Sequence, residues 1–382
     1  MDFAFSAEQS GLRDSAAGFA RENLNEDLPA RDRQQSFSPH TWRRCAEFGI
    51  QGLPVPTRFG GKGADPLGTM AALEGLGYGC RDNGLCFALN AHLWGCVQPV
   101  LLFGDAGQQE RFLPGLASGA TIGALAMSEP EAGSDAYGIR TTARLQDGRY
   151  LLNGHKIFVT NGPVAGLVLV LATLDPAAGA KAITAFLVEK DAPGLVAGPP
   201  VEKMGLRTAA MGELKLENCA VPVENRLGRE GAGLAVFGRA MEWERGFILA
   251  SAVGAMQRQF EECRQHARSR RQFGQPIGAF QHVSGKLVDM HMRLEASRMF
   301  LYKVGWLKSQ ERSAILESAM AKLYVSEAWV QSSQDAMQIH GGRGYLTENE
   351  IERDLRDALA SRIYSGTSEI QRRLIAQWMG LA

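Results

Sequence analysis

The 382-residue chain predicts a mainly helical α+β protein, with a helical first third, a strand-rich middle and a helical end. Three observations carry this reading. Up to about residue 120, apolar residues recur at three- and four-residue spacing behind N-cap signals. From about Thr121 the period drops towards two, and Gly, Pro and Asp punctuate short apolar runs, the pattern of an antiparallel β-domain. After Gly231 the helical period returns and holds to the end, so long helices with apolar stripes must pack as a bundle. The divisions are therefore residues 1–120, 121–230 and 231–382.

In chain order, Ser6 and Gln9 form a capping box ahead of Leu12, Ala16 and Phe19, which share one helical face. Ser38 with Pro39 starts a second helix through Trp42, Cys45 and Phe48 that stops at Gly49, and Asp65-Pro66 repeats the device before Met70, Leu73 and Leu76. Further helix covers 83–103, and Asp105 with Gln108 caps a short one ending before Pro114. The glycine-rich run 59–63 has no strand before it and lacks the full spacing of a phosphate loop, so it reads as a surface connection. Segments 139–145 and 150–152 form a hairpin about Asp147-Gly148, Asn153-Gly154 marks a second bend, and strands follow at 156–160, 166–172, 182–188 and 212–216. In the last third, one stripe runs through Val283, Leu287, Met290, Leu294 and Leu301 and another through Leu316, Met320, Leu323, Val330 and Met337. His291 and His340 read as core or capping histidines.

Lys plus Arg and Asp plus Glu number 41 each, which gives no electrostatic case for nucleic acid or an anionic membrane. The six cysteines contain no Cys-x-x-Cys and no accompanying His-x-x-x-His, so neither a metal site nor a disulfide framework is expected, and a reducing cytoplasm fits. The start, MDFAFSAEQ, lacks a basic region followed by an apolar core, and no run of about 18 apolar residues is expected to span a bilayer.

The stretch best suited to hold a cofactor is 125–135, LAMSEPEAGSD, together with 158–162. A short apolar run leads into the turn Ala132-Gly133-Ser134-Asp135, where Gly133 admits close backbone approach and the N–H groups with the Ser134 hydroxyl suit a pyrophosphate. Three more blocks follow in order: Arg270-Arg271-Gln272-Phe273-Gly274 with Gln281; Gln338-Ile339-His340-Gly341-Gly342-Arg343-Gly344-Tyr345; and Tyr364-Ser365-Gly366-Thr367-Ser368-Glu369-Ile370-Gln371. In this order the blocks resemble the flavin-dependent acyl-CoA dehydrogenase family over the whole chain.

That resemblance implies an N-terminal helical domain, a middle β-domain and a C-terminal four-helix bundle, assembled as a homotetramer with FAD between subunits. Leu125, Met127, Ser128, Gly133, Ser134, Phe158, Val159 and Thr160 would line the flavin, with the Thr160 hydroxyl near flavin N5. Arg270, Phe273, Gln281, Gln338, Gly341 and Gly342 would reach the adenosine and pyrophosphate of a neighbouring subunit's FAD. Thr367 and Glu369 would close the pocket at the start of the last helix.

The implied reaction is α,β-dehydrogenation of an acyl thioester, in which a carboxylate removes the α-proton and the β-hydrogen leaves as hydride to flavin N5. The thioester carbonyl would be polarised by a ribityl hydroxyl and the N–H of residue 365. Many members place the base immediately before the Gly-Thr of the last block, where this chain has Ser365. A minority, including isovaleryl-CoA and long-chain enzymes, place it before an Arg on the first bundle helix, and here Glu244 precedes Arg245. Glu244 is therefore the expected base, and Glu242 is the decoy on another helix face. Ser134, Trp243, Arg245, Tyr364, Ser365 and Gly366 are expected beside substrate.

The pairing of Glu-Trp-Glu-Arg with the Tyr-Ser-Gly-Thr block resembles a bacterial branch that oxidises acyl or aminoacyl thioesters on carrier proteins rather than CoA. Electron-transfer flavoprotein or oxygen would take the electrons. Two rivals share the fold: a flavin monooxygenase, which has no need of Glu at 244, and a non-catalytic relative, which need not bind FAD.

Overall fold

The computed structural model describes residues 5–381; Met1 to Ala4, part of the start read above, lie outside them. The first third is helical: α1 (Ala7–Asn23), α2 (Leu28–Gln34), α3 (Pro39–Phe48), α4 (Pro66–Gly79), α5 (Asn83–His92), α6 (Gln98–Phe103) and α7 (Ala106–Ala117). The starts follow local chemistry. Ser6 and Gln9 close a reciprocal capping box, and Ser38, Asp65 and Asp105 each accept an N–H from their third following residue, worth about 1 kcal/mol per cap. Pro114 does not end α7, which continues to Ala117 with the proline inside it. A π-turn at Leu93–Val97 joins α5 to α6. The resulting segment Asn83–Phe103 corrects the expectation about bilayer spans: its 21 residues have mean hydropathy 1.4 and would suffice by length and composition, but 78% of the window is buried inside the protein.

The middle third contains β1 (Gly123–Ala126), β2 (Thr142–Gln146), β3 (Arg149–Thr160), β4 (Leu167–Thr173), β5 (Ile183–Glu189), β6 (Leu195–Ala197), β7 (Met211–Pro222) and β8 (Arg226–Leu227). They form one sheet in the order β6-β7-β3-β2-β4-β5-β8, with β1 on β4. The sheet is not wholly antiparallel, because β1 and β2 both pair with β4 in parallel. Asn153-Gly154 is no bend either. Strand β3 runs through it with a register shift against β7, and the Asn153 and Asn218 amides bond each other across the two strands, which satisfies the polar groups that a turn would have needed.

The last third comprises α8 (Gly233–Phe247), α9 (Ala250–Ser269), the hairpin β9 (Arg271–Gln272) and β10 (Gln275–Pro276), α10 (Gln281–Ser309), α11 (Ile315–His340), α12 (Ile351–Ala360) and α13 (Ser368–Trp378). Helix α9 lies so close on α4 that a Cβ at Gly77 would sit 1.8 Å from the Ser251 carbonyl. On α10, Met290, Leu294 and Leu301 of the expected stripe are buried. On α11 only Val330 of the expected five is; the buried face is instead built of Ala and Ser with Val325, Trp329 and Lys322. Small residues let helices approach closely, so the larger side chains lie to the sides.

Candidate active site

Helix α8 brings Glu244 into the interior, where it meets the loop that precedes α13. The Ser365 hydroxyl donates to Glu244 Oε1 at 2.5 Å. Burial pushes the Glu244 carboxyl above the ordinary range, while the Ser365 bond, the Arg245 guanidinium and the Lys322 ammonium pull it back. A carboxylate so placed has its proton affinity raised towards that of a working base.

The loop around Ser365 is fixed from several sides. Ser365 holds a positive φ of 57°, and Gly366 one of 86°. The Ser365 carbonyl accepts from Arg245 Nε at 3.0 Å and from Gln371 Nε2 at 3.1 Å, and the same Gln371 amide donates to the Gly366 carbonyl at 2.9 Å. A Cβ at Gly366 would lie 2.8 Å from Gln371 Nε2, so position 366 requires glycine both for φ and for space. The Ser365 N–H has no backbone acceptor among the described residues, which leaves it available to a ligand carbonyl. Thr367 caps α13 by accepting the Ile370 N–H, and Glu369 stands exposed in that helix's first turn. Tyr364 packs on Phe87 with ring centroids 4.5 Å apart.

Trp243, expected beside substrate, is part of an aromatic stack with Trp94 and Phe247, with Lys308 Nζ 5.2 Å from its ring centre. Glu242 is buried too, but both of its oxygens are bonded: it meets Lys308 Nζ, accepts the Ala314 N–H at 2.6 Å and pairs with Arg239 at 3.0 Å.

On the β-domain side, the segment after β1 is pinned to β3. Lys156 Nζ donates to the Met127 carbonyl at 3.1 Å and to Glu129 Oε1 at 2.7 Å, and the Glu129 carboxylate also accepts the N–H groups of Arg140 and Thr141. The Ser128 carbonyl accepts from Ile157. Met127 is buried and Leu125 half-buried, while Gly133 and Ser134 emerge exposed beyond the pinned segment. Beside it, an irregularity in β3 gives Phe158 a φ of 56° and turns its ring outward, 67% exposed, as a flat apolar surface. Val159 points the other way, into the sheet core, so only its backbone could face a flavin. Thr160 ends the strand half-buried.

The remaining expected cofactor residues are elsewhere. Lys322 and Gln338 are separated by roughly 24 Å along α11 at 1.5 Å per residue. Gln338, Gly341 and Gly342 line a cavity of about 570 Å³ beyond the end of that helix. His340 stacks on His266 at 4.3 Å, and burial, His340, Arg270 and Arg343 together lower the proton affinity of His266. Phe273 stands 94% exposed at the tip of the β9–β10 hairpin, near the exposed Gln281 that begins α10. The site residues therefore fall into two groups, one around Glu244 and one at the opposite end of α11.

Both groups fit parts of a flavin dinucleotide. The outward Phe158 ring and the exposed Ser134 turn suit a flat ring and its phosphates, and the cavity with Arg270 and Arg343 nearby suits an anionic dinucleotide tail. No cluster of His, Cys, Asp and Glu suited to a metal occurs among the described residues.

Sequence reasoning missed several members. Lys156 with Glu129 orders the flavin-side loop, Gln371 clamps the 365–366 turn, and Lys322 lies beside Glu244 with its Nζ lacking any hydrogen-bond partner. For the two lysines a signal existed, a charged residue in the buried phase of an otherwise apolar strand or helix.

Family models match all three parts of the chain: "Acyl-CoA dehydrogenase, N-terminal domain" over residues 6–120, "middle domain" over 124–219 and "C-terminal domain" over 231–380. The chain is 40% identical over 381 residues to the L-prolyl-[peptidyl-carrier protein] dehydrogenase of Serratia sp. (strain ATCC 39006), covering 100% of this chain and 99% of that one. It superposes on the crystal structure of the prolyl acyl carrier protein oxidase AnaB with TM-score 0.98 and 52% identity, covering 99% and 100% of the two chains. A structure described as PigA with FAD and proline matches with TM-score 0.97 and 40% identity over 100% of both chains. The chain belongs to the acyl-CoA dehydrogenase family and is an FAD-dependent oxidoreductase that dehydrogenates a thioester carried on CoA or a carrier protein.

Proposed function

We propose that the substrate is an L-prolyl thioester on a carrier protein and that Glu244 takes the α-proton. The observation that carries the base assignment is the buried Glu244 carboxylate bonded to the hydroxyl at the position where many relatives carry their own acid. The substrate class is supported by similarity to relatives named for prolyl carrier proteins, at 40% and 52% identity over essentially the whole chain.

In this reading, bound FAD supplies a two-electron acceptor for the β-hydrogen. The protein's own groups do the rest. Glu244, with its proton affinity raised by burial, receives the α-proton. The free Ser365 N–H points a donor at the thioester oxygen, where it strengthens as negative charge develops. Arg245 and Gln371 keep that donor in place by holding the carbonyl of the same residue.

The chain is proposed to act as a homotetramer, supported by the 94% exposed Phe273 ring and by the separation of the two groups of cofactor residues, which suits completion of one subunit's site by another. Reoxidation is assigned to an electron-transfer flavoprotein or oxygen. Six free, buried cysteines suit the reducing cytoplasm.

The test mixes oxidised holoenzyme anaerobically with prolyl-carrier protein, acyl-carrier protein and acyl-CoA thioesters and follows flavin absorbance. Rapid bleaching by the prolyl-carrier protein, slow or absent with the others, supports the proposal. Preference for an acyl-CoA overturns the substrate, and unimpaired bleaching by Glu244→Gln overturns the base.

A further inference from the structure

We propose that Ser365 is a positioning residue for the base: its hydroxyl holds one carboxylate oxygen of Glu244 and so fixes both the direction and the basicity of the other. This rests on Glu244 being the base. It assigns to the side chain of residue 365 a task separate from that of its N–H.

The geometry is specific. Of the two Glu244 oxygens, Oε1 accepts the Ser365 hydroxyl at 2.5 Å. Neither Arg245 nor Lys322 makes a hydrogen bond to the carboxylate: Arg245 Nε is committed to the Ser365 carbonyl, and Lys322 Nζ has no partner at all. The serine hydroxyl is thus the only hydrogen-bond donor to the Glu244 carboxylate among the described residues, and Oε2 is left for a proton. The donor is itself held. Its backbone sits at φ 57°, an uncommon conformation for a side chain other than glycine's, and it is kept there by three side-chain bonds from Arg245 and Gln371 to the 365 and 366 carbonyls. A glycine would adopt that backbone with less strain. The serine is therefore not explained by the turn, only by what its hydroxyl reaches.

The charged and titratable groups that face Glu244 come from every neighbouring element: Arg245 on α8, Lys322 on α11, and Tyr364 with Ser365 in the turn before α13. Glu327 and Glu369 act on Lys322 in turn. Arg245 and Lys322 favour the carboxylate through space, and Ser365 favours it through a bond. A hydrogen bond to the charged form lowers proton affinity, so removing it raises the pH at which Glu244 becomes a base. With a charge-assisted bond at stake, the shift is about one pH unit, or roughly tenfold in proton affinity.

The experiment uses holoenzyme of Ser365→Gly and Ser365→Ala. Glycine removes the hydroxyl while relaxing the backbone; alanine removes it while keeping the Cβ. Two quantities are read across pH: the anaerobic bleaching rate with the best thioester of the panel, and, in substrate-free enzyme, the infrared carboxyl band that Glu244→Gln abolishes. The proposal expects both variants to move the acid limb of the rate profile and the carboxyl titration upward together by about one unit. Profiles and titrations that coincide with wild type in both variants overturn it while leaving Glu244 as the base. A shift in alanine alone, with glycine like wild type, also overturns it, since strain would then be the cause. Undiminished bleaching by Glu244→Gln overturns it together with the reading it rests on.

Discussion

Glu242 and Glu244 stand two residues apart on α8, both buried, and their surroundings differ sharply. Glu242 has the Lys308 ammonium and the Ala314 N–H on one oxygen and Arg239 on the other, so both oxygens are bonded and two cations face its charge. Glu244 has one neutral donor on one oxygen, Arg245 and Lys322 near it but not bonded to it, and an open second oxygen. Lysines mark the same difference: Lys308 is paired with its carboxylate, and Lys322 is buried without a partner. In the proposed reading it is burial together with an open oxygen, and not burial alone, that suits Glu244 to proton transfer.

The comparison is tested hardest by exchanging each acid for its amide. Glu244→Gln should lower the anaerobic bleaching rate by roughly 10³-fold with the melting temperature little changed, because it removes a proton acceptor and keeps the shape. Glu242→Gln should do the reverse. It strands the Lys308 charge in the interior, costs about 3–5 kcal/mol in denaturant unfolding, and leaves the bleaching rate of folded enzyme near wild type.

Lys322 sharpens the contrast through pH. Burial, helped by Arg245, holds it down to about 7 against an ordinary 10.5. Between those values the unfolded chain binds a proton that the folded chain does not, so stability rises with pH across that window and the charged amine is a burden below it. Lys322→Met should flatten that slope in unfolding titrations between pH 7 and 10; an unchanged slope would show that Lys322 is charged and satisfied. The smallest effect is expected from Trp243→Phe, a loss of about 1–2 kcal/mol in stability with no movement of the pH profile, as suits a ring packed on Trp94 and Phe247.

What the sequence discloses is what is decided locally. Caps at Ser6, Ser38, Asp65 and Asp105 act over three residues, and all four begin helices where expected. The three-part architecture follows from long stretches of constant period. What was hidden depends on distant partners. Asn153-Gly154 has the composition of a turn, but Asn218, 65 residues away, keeps it in the strand. The parallel pairing of β1 with β4 is set by tertiary packing and not by the alternation within either strand. Ser318, Ala319, Ala321, Lys322 and Val325 form a buried face that hydropathy assigns to Leu316, Met320 and Leu323 instead. At the site, Glu244 is singled out in the sequence by its place before Arg245, whereas the hydroxyl bonded to it lies 121 positions on and only the folded chain joins them.

The proton step can be isolated with an acetyl thioester on the carrier protein, which has α-hydrogens but no β-carbon and so permits no hydride transfer. Holoenzyme is incubated with it in deuterium oxide, and deuterium entering the acetyl group is followed by mass spectrometry. Wild type and Glu242→Gln should exchange the α-hydrogens while Glu244→Gln does not; exchange by Glu244→Gln at the wild-type rate would contradict the assignment of the base.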